Sequence, residues 1–244
     1  NHGSIENNNL ARINNGIGLY GSNGSKILNN TAGKIEITSP TDYGIGIAGF
    51  LSGATAQNYG TDKTISSLIG TLPTSVKTID ITNNGKIEIS GKAVGIYANN
   101  TSSIPNFDKH VTKDNAVVNN NASLSFENDS IGIFSKKATV NLRGTGTNDI
   151  TVGERGIGVY AKDSSINFKS DYGFQIKDNG TGIYADDTDT SNGNMKLNYT
   201  GRVSSRGIGI YFTGTSAMTN RLNLDVENIS GSTKGIIGIY ASAV

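Results

Sequence analysis

Two histidines, His2 and His110, are all that a chain of 244 residues offers for imidazole chemistry. The absence of Cys removes thiol nucleophiles, disulfides, Cys-ligated zinc and iron–sulfur clusters together. His110 sits beside Asp108 and Lys109 in a polar stretch, the setting of a solvated residue rather than a general base. Asp186, Asp187 and Asp189 form a short acidic loop, the only metal candidate. The Gly and terminal Glu of an EF-hand are missing around it, as is any calcium-binding G-G-x-G-x-D nonapeptide. No cofactor is expected. Gly16-x-Gly18-x-x-Gly21 and Gly44-x-Gly46-x-x-Gly49 match the dinucleotide fingerprint, but they recur inside a repeat and open no helix. No phosphate-binding G-x-x-x-x-G-K-[ST] loop and no G-x-S-x-G elbow occurs.

What positions these residues is a repeat. The pentapeptide Gly16-Ile17-Gly18-Leu19-Tyr20 returns around Gly46, Gly95, Gly132, Gly158, Gly182, Gly209 and Gly238, at spacings of 28, 49, 37, 26, 24, 27 and 29. A base period in the middle twenties is the signature of a stacked architecture. Each period carries a second strand in which apolar and polar residues alternate, such as Lys34-Ile35-Glu36-Ile37, Lys86-Ile87-Glu88-Ile89 and Thr139-Val140-Asn141-Leu142. A third group appears in Ile79-Asp80-Ile81, Ile150-Thr151-Val152 and Phe174-Gln175-Ile176. Three short strands separated by Asn-Gly and Gly-Ser turns make one rung of a parallel β-helix. The expected fold is therefore an all-β solenoid of about eight rungs, roughly 40 Å long at the spacing of paired strands.

Composition agrees. Only 35% of the residues are hydrophobic and 17% are charged, while 32 are Gly and 30 are Asn. A thin stacked core needs few apolar side chains, and its corners favour Gly and Asn at positive φ, with Asn side chains able to stack in ladders. The net charge of +1 with interspersed signs gives no footprint for nucleic acid or an anionic membrane. No apolar run reaches the roughly 18 residues of a membrane helix, so direct membrane insertion of this segment is not expected. Both termini read as cut from a longer protein. Asn-x-Ser/Thr triplets follow from composition alone.

Within the marker, aliphatic residues pointing inward would leave the glycines as a smooth outer stripe. Tyr20, Tyr97, Tyr160, Tyr184, Tyr211 and Tyr240 would then stack near one corner, as a packing ladder or as a sugar-stacking platform.

Two intervals exceed the period, giving insertions at about 50–77 and 99–115. In the first, Asp62 precedes Ile65, Leu68, Ile69 and Leu72, and Pro73 follows, which reads as a short amphipathic helix. Leu68-Ile69-Gly70 also fits the period as a degenerate marker, so residues 47–94 read as one rung with an insertion or as two rungs. Both insertions leave the same corner and should touch. Such a lateral knob is where a repeat scaffold acquires a partner, and Tyr59, Ile104, Pro105, Phe107, Asp108, Lys109 and His110 are its candidate ligand-binding residues.

An enzyme of the polysaccharide lyase or hydrolase kind is the catalytic alternative for a β-helix. It needs Asp clustered with Lys or Arg across rungs, whereas the outward strand positions here are Lys, Glu, Ser, Asn and Thr. No catalytic residue is assigned, and the chain is not expected to be an enzyme.

The marker together with Asn83-Asn84-Gly85-Lys86-Ile87-Glu88-Ile89 resembles the passenger domains of large type V (type Va) autotransporter adhesins, particularly those with fusobacterial-type repeats, over essentially the whole chain. That resemblance implies a right-handed helix and residues 1–244 as one segment of a longer, monomeric passenger. It also implies display at the bacterial cell surface and outer membrane after type V secretion. The implied partners are a host cell-surface glycan, a receptor protein or partner bacteria. A passive spacer with the binding tip elsewhere is the other reading.

Overall fold

The computed structural model describes residues 3–51, 78–101, 115–144, 149–168, 172–187, 197–205, 207–214, 222–230 and 237–243. Within them the chain is all-β, with parallel strands in curled sheets and no helix. No helix long and apolar enough to cross a membrane is found among them. The short helix expected between Asp62 and Pro73, and the rival marker at Leu68-Ile69-Gly70, fall within 52–77 and lie outside the described residues.

Pairing runs in three parallel ladders, because each repeat offers three strands and each strand pairs with its counterpart in the next repeat. The first ladder runs from Ser4–Asn7 through Lys26–Asn29, Thr78–Asn83, Asn115–Asn120, Ala138–Leu142 and Ser165–Phe168 to strands starting at Leu197 and Leu222. The second starts at Leu10–Ile13 and passes Lys34, Lys86, Leu124, Ile150 and Tyr172 to Gly201 and Val226. The third carries the marker, from Gly16–Ser22 to Ile237–Ala243.

The core is built from columns of like residues, since parallel in-register pairing puts equivalent positions over one another. Ile35, Ile87, Leu124, Ile150 and Phe174 form one such column, each no more than 2% exposed. Ile27, Ile81, Val118, Val140 and Ile166 form another. Each buried aliphatic side chain contributes about 1.5–3 kcal/mol.

One core column is polar. Asn29, Asn83 and Asn120 are fully buried, and Asn7 leads into them. Asn7 Nδ2 donates to Asn29 Oδ1 at 2.9 Å, Asn29 Nδ2 to Asn83 Oδ1 at 2.8 Å, and Asn83 Nδ2 to Asn120 Oδ1 at 2.7 Å. The last amide donates to Ala122 O at 2.8 Å and to the Tyr172 hydroxyl at 3.3 Å. Satisfying each buried amide removes a penalty of about 1–3 kcal/mol per polar group. At the next register position Leu142 replaces the amide and the ladder stops.

The marker's facing differs from the sequence expectation. In Ile131–Lys136, Ile131 and Phe134 face outward and half-buried, while Gly132 and Ile133 are both buried. Two successive inward residues break the alternation on which the expectation rested. The central glycine is therefore an inner residue, with no room for a side chain. A Cβ on Gly46, Gly95 or Gly132 would stand 2.6–2.7 Å from the carbonyl oxygen of the equivalent glycine in the next repeat. The corners include Asn23 and Asn179 at positive φ, as composition suggested, but Asp129, Lys137, Arg155 and Asp163 adopt it too.

Candidate functional site

Insertions are positioned by the corner between the third ladder and the first. Residues 52–77 leave the chain at Leu51 and residues 102–114 after Thr101, and Leu51 is in register with Asn100. The returning strands begin at Thr78 and Asn115, which are also in register. Thr101 N donates to Leu51 O at 2.8 Å, tying the two roots together. Asp187 and Gly214, in register with each other, are the roots from which 188–196 and 215–221 leave, at the same corner. Where the chain turns tightly there instead, Lys137 and Asp163 take left-handed backbone conformations. One edge of the protein thus roots every long connection of the third ladder, as the spacing of the two insertions implied.

Tyr59, Ile104, Pro105, Phe107, Asp108, Lys109 and His110 lie outside the described residues, and so does Asp189. Contact between the two insertions lies outside them as well.

Beside that edge runs an outward column of rings: Tyr20, Phe50, Tyr97, Phe134, Tyr160, Tyr184, Tyr211 and Tyr240. From Tyr97 to Tyr240 neighbouring centroids are 4.8–5.3 Å apart and interplanar angles stay at or below 17°. The rings engage one another face to face. A sugar stacks on a free aromatic face, and inside the column none is free, so this is a packing ladder. Burial pushes the Tyr160 and Tyr184 phenols above their ordinary range, with the Asp186 carboxylate adding to both.

Asp186 and Asp187 belong to the strand Thr181–Asp187 and not to a loop. Asp186 is 8% exposed, accepts a hydrogen bond from the Tyr160 hydroxyl at 3.5 Å and lies 3.6 Å from Lys162 Nζ. These partners make it a structural carboxylate. Among the described residues no group of three His, Cys, Asp or Glu side chains could hold a metal ion.

Charges cluster in two places. On the second ladder Arg12, Glu36, Lys34, Glu88 and Lys86 form a continuous ion-pair chain, with Lys34 Nζ 2.6 Å from Glu36 and 2.7 Å from Glu88. Hydrogen bonding to Lys34 holds both glutamates below the usual carboxylate range. At the corner between the second and third ladders, Arg155 grips Asp129 with two hydrogen bonds of 2.8 and 2.7 Å. A depression of about 440 Å³ next to Asp129 is lined by Gly91, Lys92, Glu127, Asn128 and Lys177.

This corner clusters an Asp with Arg and Lys side chains across repeats, and sequence reading missed it. The signal was present in the aligned turns Glu127-Asn128-Asp129-Ser130, Gly153-Glu154-Arg155-Gly156 and Lys177-Asp178-Asn179-Gly180. Its chemistry is nonetheless that of a turn clamp. The Arg155 guanidinium holds the Asp129 carboxyl below its usual range, the reverse of what a glycosidic general acid requires.

No family model, curated protein or solved structure matches the chain.

Proposed function

We propose that the chain is a segment of a surface-displayed bacterial adhesin: a right-handed parallel β-helix of about eight rungs that presents its side connections to a partner. The observation that carries this reading is the shared root of the insertions, Leu51 beside Asn100 and Thr78 beside Asn115. Loops on a rigid scaffold are where binding concentrates. Paired strands also supply the cohesion that disulfides give other exported proteins. The partner is a host cell-surface glycan, a receptor protein or another bacterium, and the segment lies outside the cell. Catalysis has no part in it.

Deleting 52–77 and 102–114 together, with short glycine-containing turns in their place, is expected to abolish attachment of the isolated chain to host cells and partner bacteria. The far-UV spectrum would stay β-rich. Attachment unchanged by the deletion refutes the reading. A chain that binds no cell and no immobilised glycan even with its insertions intact is instead a spacer. That alternative draws support from the face-to-face ring column, whose inner faces are closed to a ligand.

A further inference from the structure

Five Asn-Gly steps occur in the sequence, at 15–16, 23–24, 84–85, 179–180 and 192–193, and the last lies outside the described residues. Asparagine is labile in such a pair, because the glycine that follows has no Cβ to keep its nitrogen away from the side-chain carbonyl. The fold treats the four described steps differently. Gly24 N donates to Thr78 O at 2.7 Å and Gly180 N to Lys177 O at 3.0 Å, while Asn23 and Asn179 are fixed in left-handed conformations. Gly16 belongs to the marker strand and is in register with Gly44. Gly85 stands apart. It is buried between strands Thr78–Asn83 and Lys86–Asn100, and among the described residues its N–H has no hydrogen-bond acceptor. An unpaired backbone donor on a buried residue is uncommon and calls for a reason.

The Asn84 side chain next to it has the complementary arrangement. Its Oδ1 accepts a hydrogen bond from Asn121 Nδ2 at 2.8 Å, while its own Nδ2 donates to no group among the described residues. The oxygen that gains negative charge when a nucleophile adds to this amide therefore already has a donor. Nor can Gly85 be exchanged for a bulkier, slower neighbour. A Cβ there would overlap the carbonyl oxygens of Gly33 and Asn30.

We infer that Asn84 is a site of self-modification, converted through Gly85 to aspartate and isoaspartate while the chain stays folded. Gly85 N gives its proton to solvent and bonds to Asn84 Cγ. The Cγ–Nδ2 bond breaks, and the nitrogen takes up a proton and leaves as ammonia. Water then opens the cyclic imide: attack at the side-chain carbonyl gives isoaspartate's partner product only if the backbone amide is re-formed, so one opening yields aspartate and the other isoaspartate. The aspartate keeps an acceptor for Asn121 and adds a negative charge at the corner between the first and second ladders. Isoaspartate adds a backbone carbon there, next to buried Asn83. Water is the only co-reactant, and the inference is independent of the adhesin reading.

Peptide mapping by mass spectrometry, on the folded 244-residue chain held in mildly alkaline buffer, tests it. Conversion is expected to be about tenfold faster at Asn84 than at Asn15, Asn23 or Asn179, where a hydrogen bond or a strand pairing must open first. In urea, with the fold removed, the Asn-Gly steps are expected to convert at like rates. Asn121→Ala, an exposed change, is expected to slow Asn84 several-fold by removing the donor to its oxygen. The inference is overturned if folded Asn84 converts no faster than the other three or if its lead persists in urea. An Asn121→Ala variant that converts Asn84 as fast as wild type overturns it too.

Discussion

Phe50 supplies the ring that Ala48 lacks. Ala48 is in register with Tyr20 and Tyr97, where an aromatic residue would complete the column. Phe50, two residues further along the same face, brings its ring centroid to 5.7 Å from Tyr20 and 5.2 Å from Tyr97. Both rings are tilted by about 40°, unlike the flat stack beyond, because Phe50 reaches in from one position away along the strand face. Ala48 is left fully buried beneath.

Phe50→Ala should therefore open the column at a single point. The expected cost is about 2 kcal/mol, from lost ring burial and two aromatic contacts. Thermal unfolding would show a Tm lower by roughly 4–8 °C for a chain of this size. Adding Ala48→Tyr to that variant restores the ring at its regular position and should recover most of the loss. Without such recovery the compensation between the two residues is wrong.

Gly132→Ala tests the inward glycine column. Its Cβ would stand 2.6 Å from Gly158 O and 2.7 Å from the Phe126 ring; the backbone oxygen cannot move aside. Overpacking of this kind costs about 1–3 kcal/mol. Gly16→Ala is the comparison: its Cβ meets open space, and only the φ of +99° opposes it, at about 1 kcal/mol. Urea midpoints should rank wild type, Gly16→Ala and Gly132→Ala in falling order, and equal midpoints for the two variants would contradict the close approach.

Removing the middle amide of the buried ladder, Asn83→Ala, leaves the donor of Asn29 and the acceptor of Asn120 without their partner. Two such groups cost about 3 kcal/mol together. Asn121→Ala removes a comparable hydrogen bond, to Asn84 at 2.8 Å, but at an exposed position where the expected change lies within about 0.5 kcal/mol. Urea titration of both variants measures the contrast. Similar losses would mean that burial is not what gives the inner ladder its weight.

Acid should weaken the outer charges first. Glu36, Glu88 and Asp129 are held below their ordinary pKa by Lys34 and Arg155, so they stabilise the fold above the unfolded value of about 4. That contribution disappears as pH falls through the lower folded values. Glu88→Gln combined with Asp129→Asn should lower Tm at neutral pH, and the gap from wild type should close in acid. Because these groups are exposed, added salt should narrow it as well. A gap independent of pH would point to lost packing instead of lost charge.

The ladders were legible because the marker spacing is itself the register of the third ladder: aligning the glycines aligns Ile47 over Ile96 and Tyr160 over Tyr184. Their direction was not, since strict alternation was assumed across a residue where the backbone places Gly132 and Ile133 on the same side. Phe50 escaped notice for a related reason, as its ring arrives from outside the pentapeptide that defines the column. The polar corner at Asp129 and Arg155 was hidden because alternation patterns describe strands and say nothing of which turn residues meet across repeats. The stretches proposed to meet a partner, 52–77 and 102–114, are ones where neither period nor pattern operates.

The buried amides have a further property. The Nδ2 of Asn7, Asn29 and Asn83 faces the following repeat and the Oδ1 of Asn29, Asn83 and Asn120 the preceding one, so the dipoles add instead of cancelling. The column is a small electret, positive toward Asn120, where a carbonyl and a phenol oxygen receive its last protons. Repeats bearing this asparagine can therefore be duplicated or exchanged in tandem with their polarity intact. A repeat bearing leucine there, as at Leu142, acts as an insulator and terminates the series.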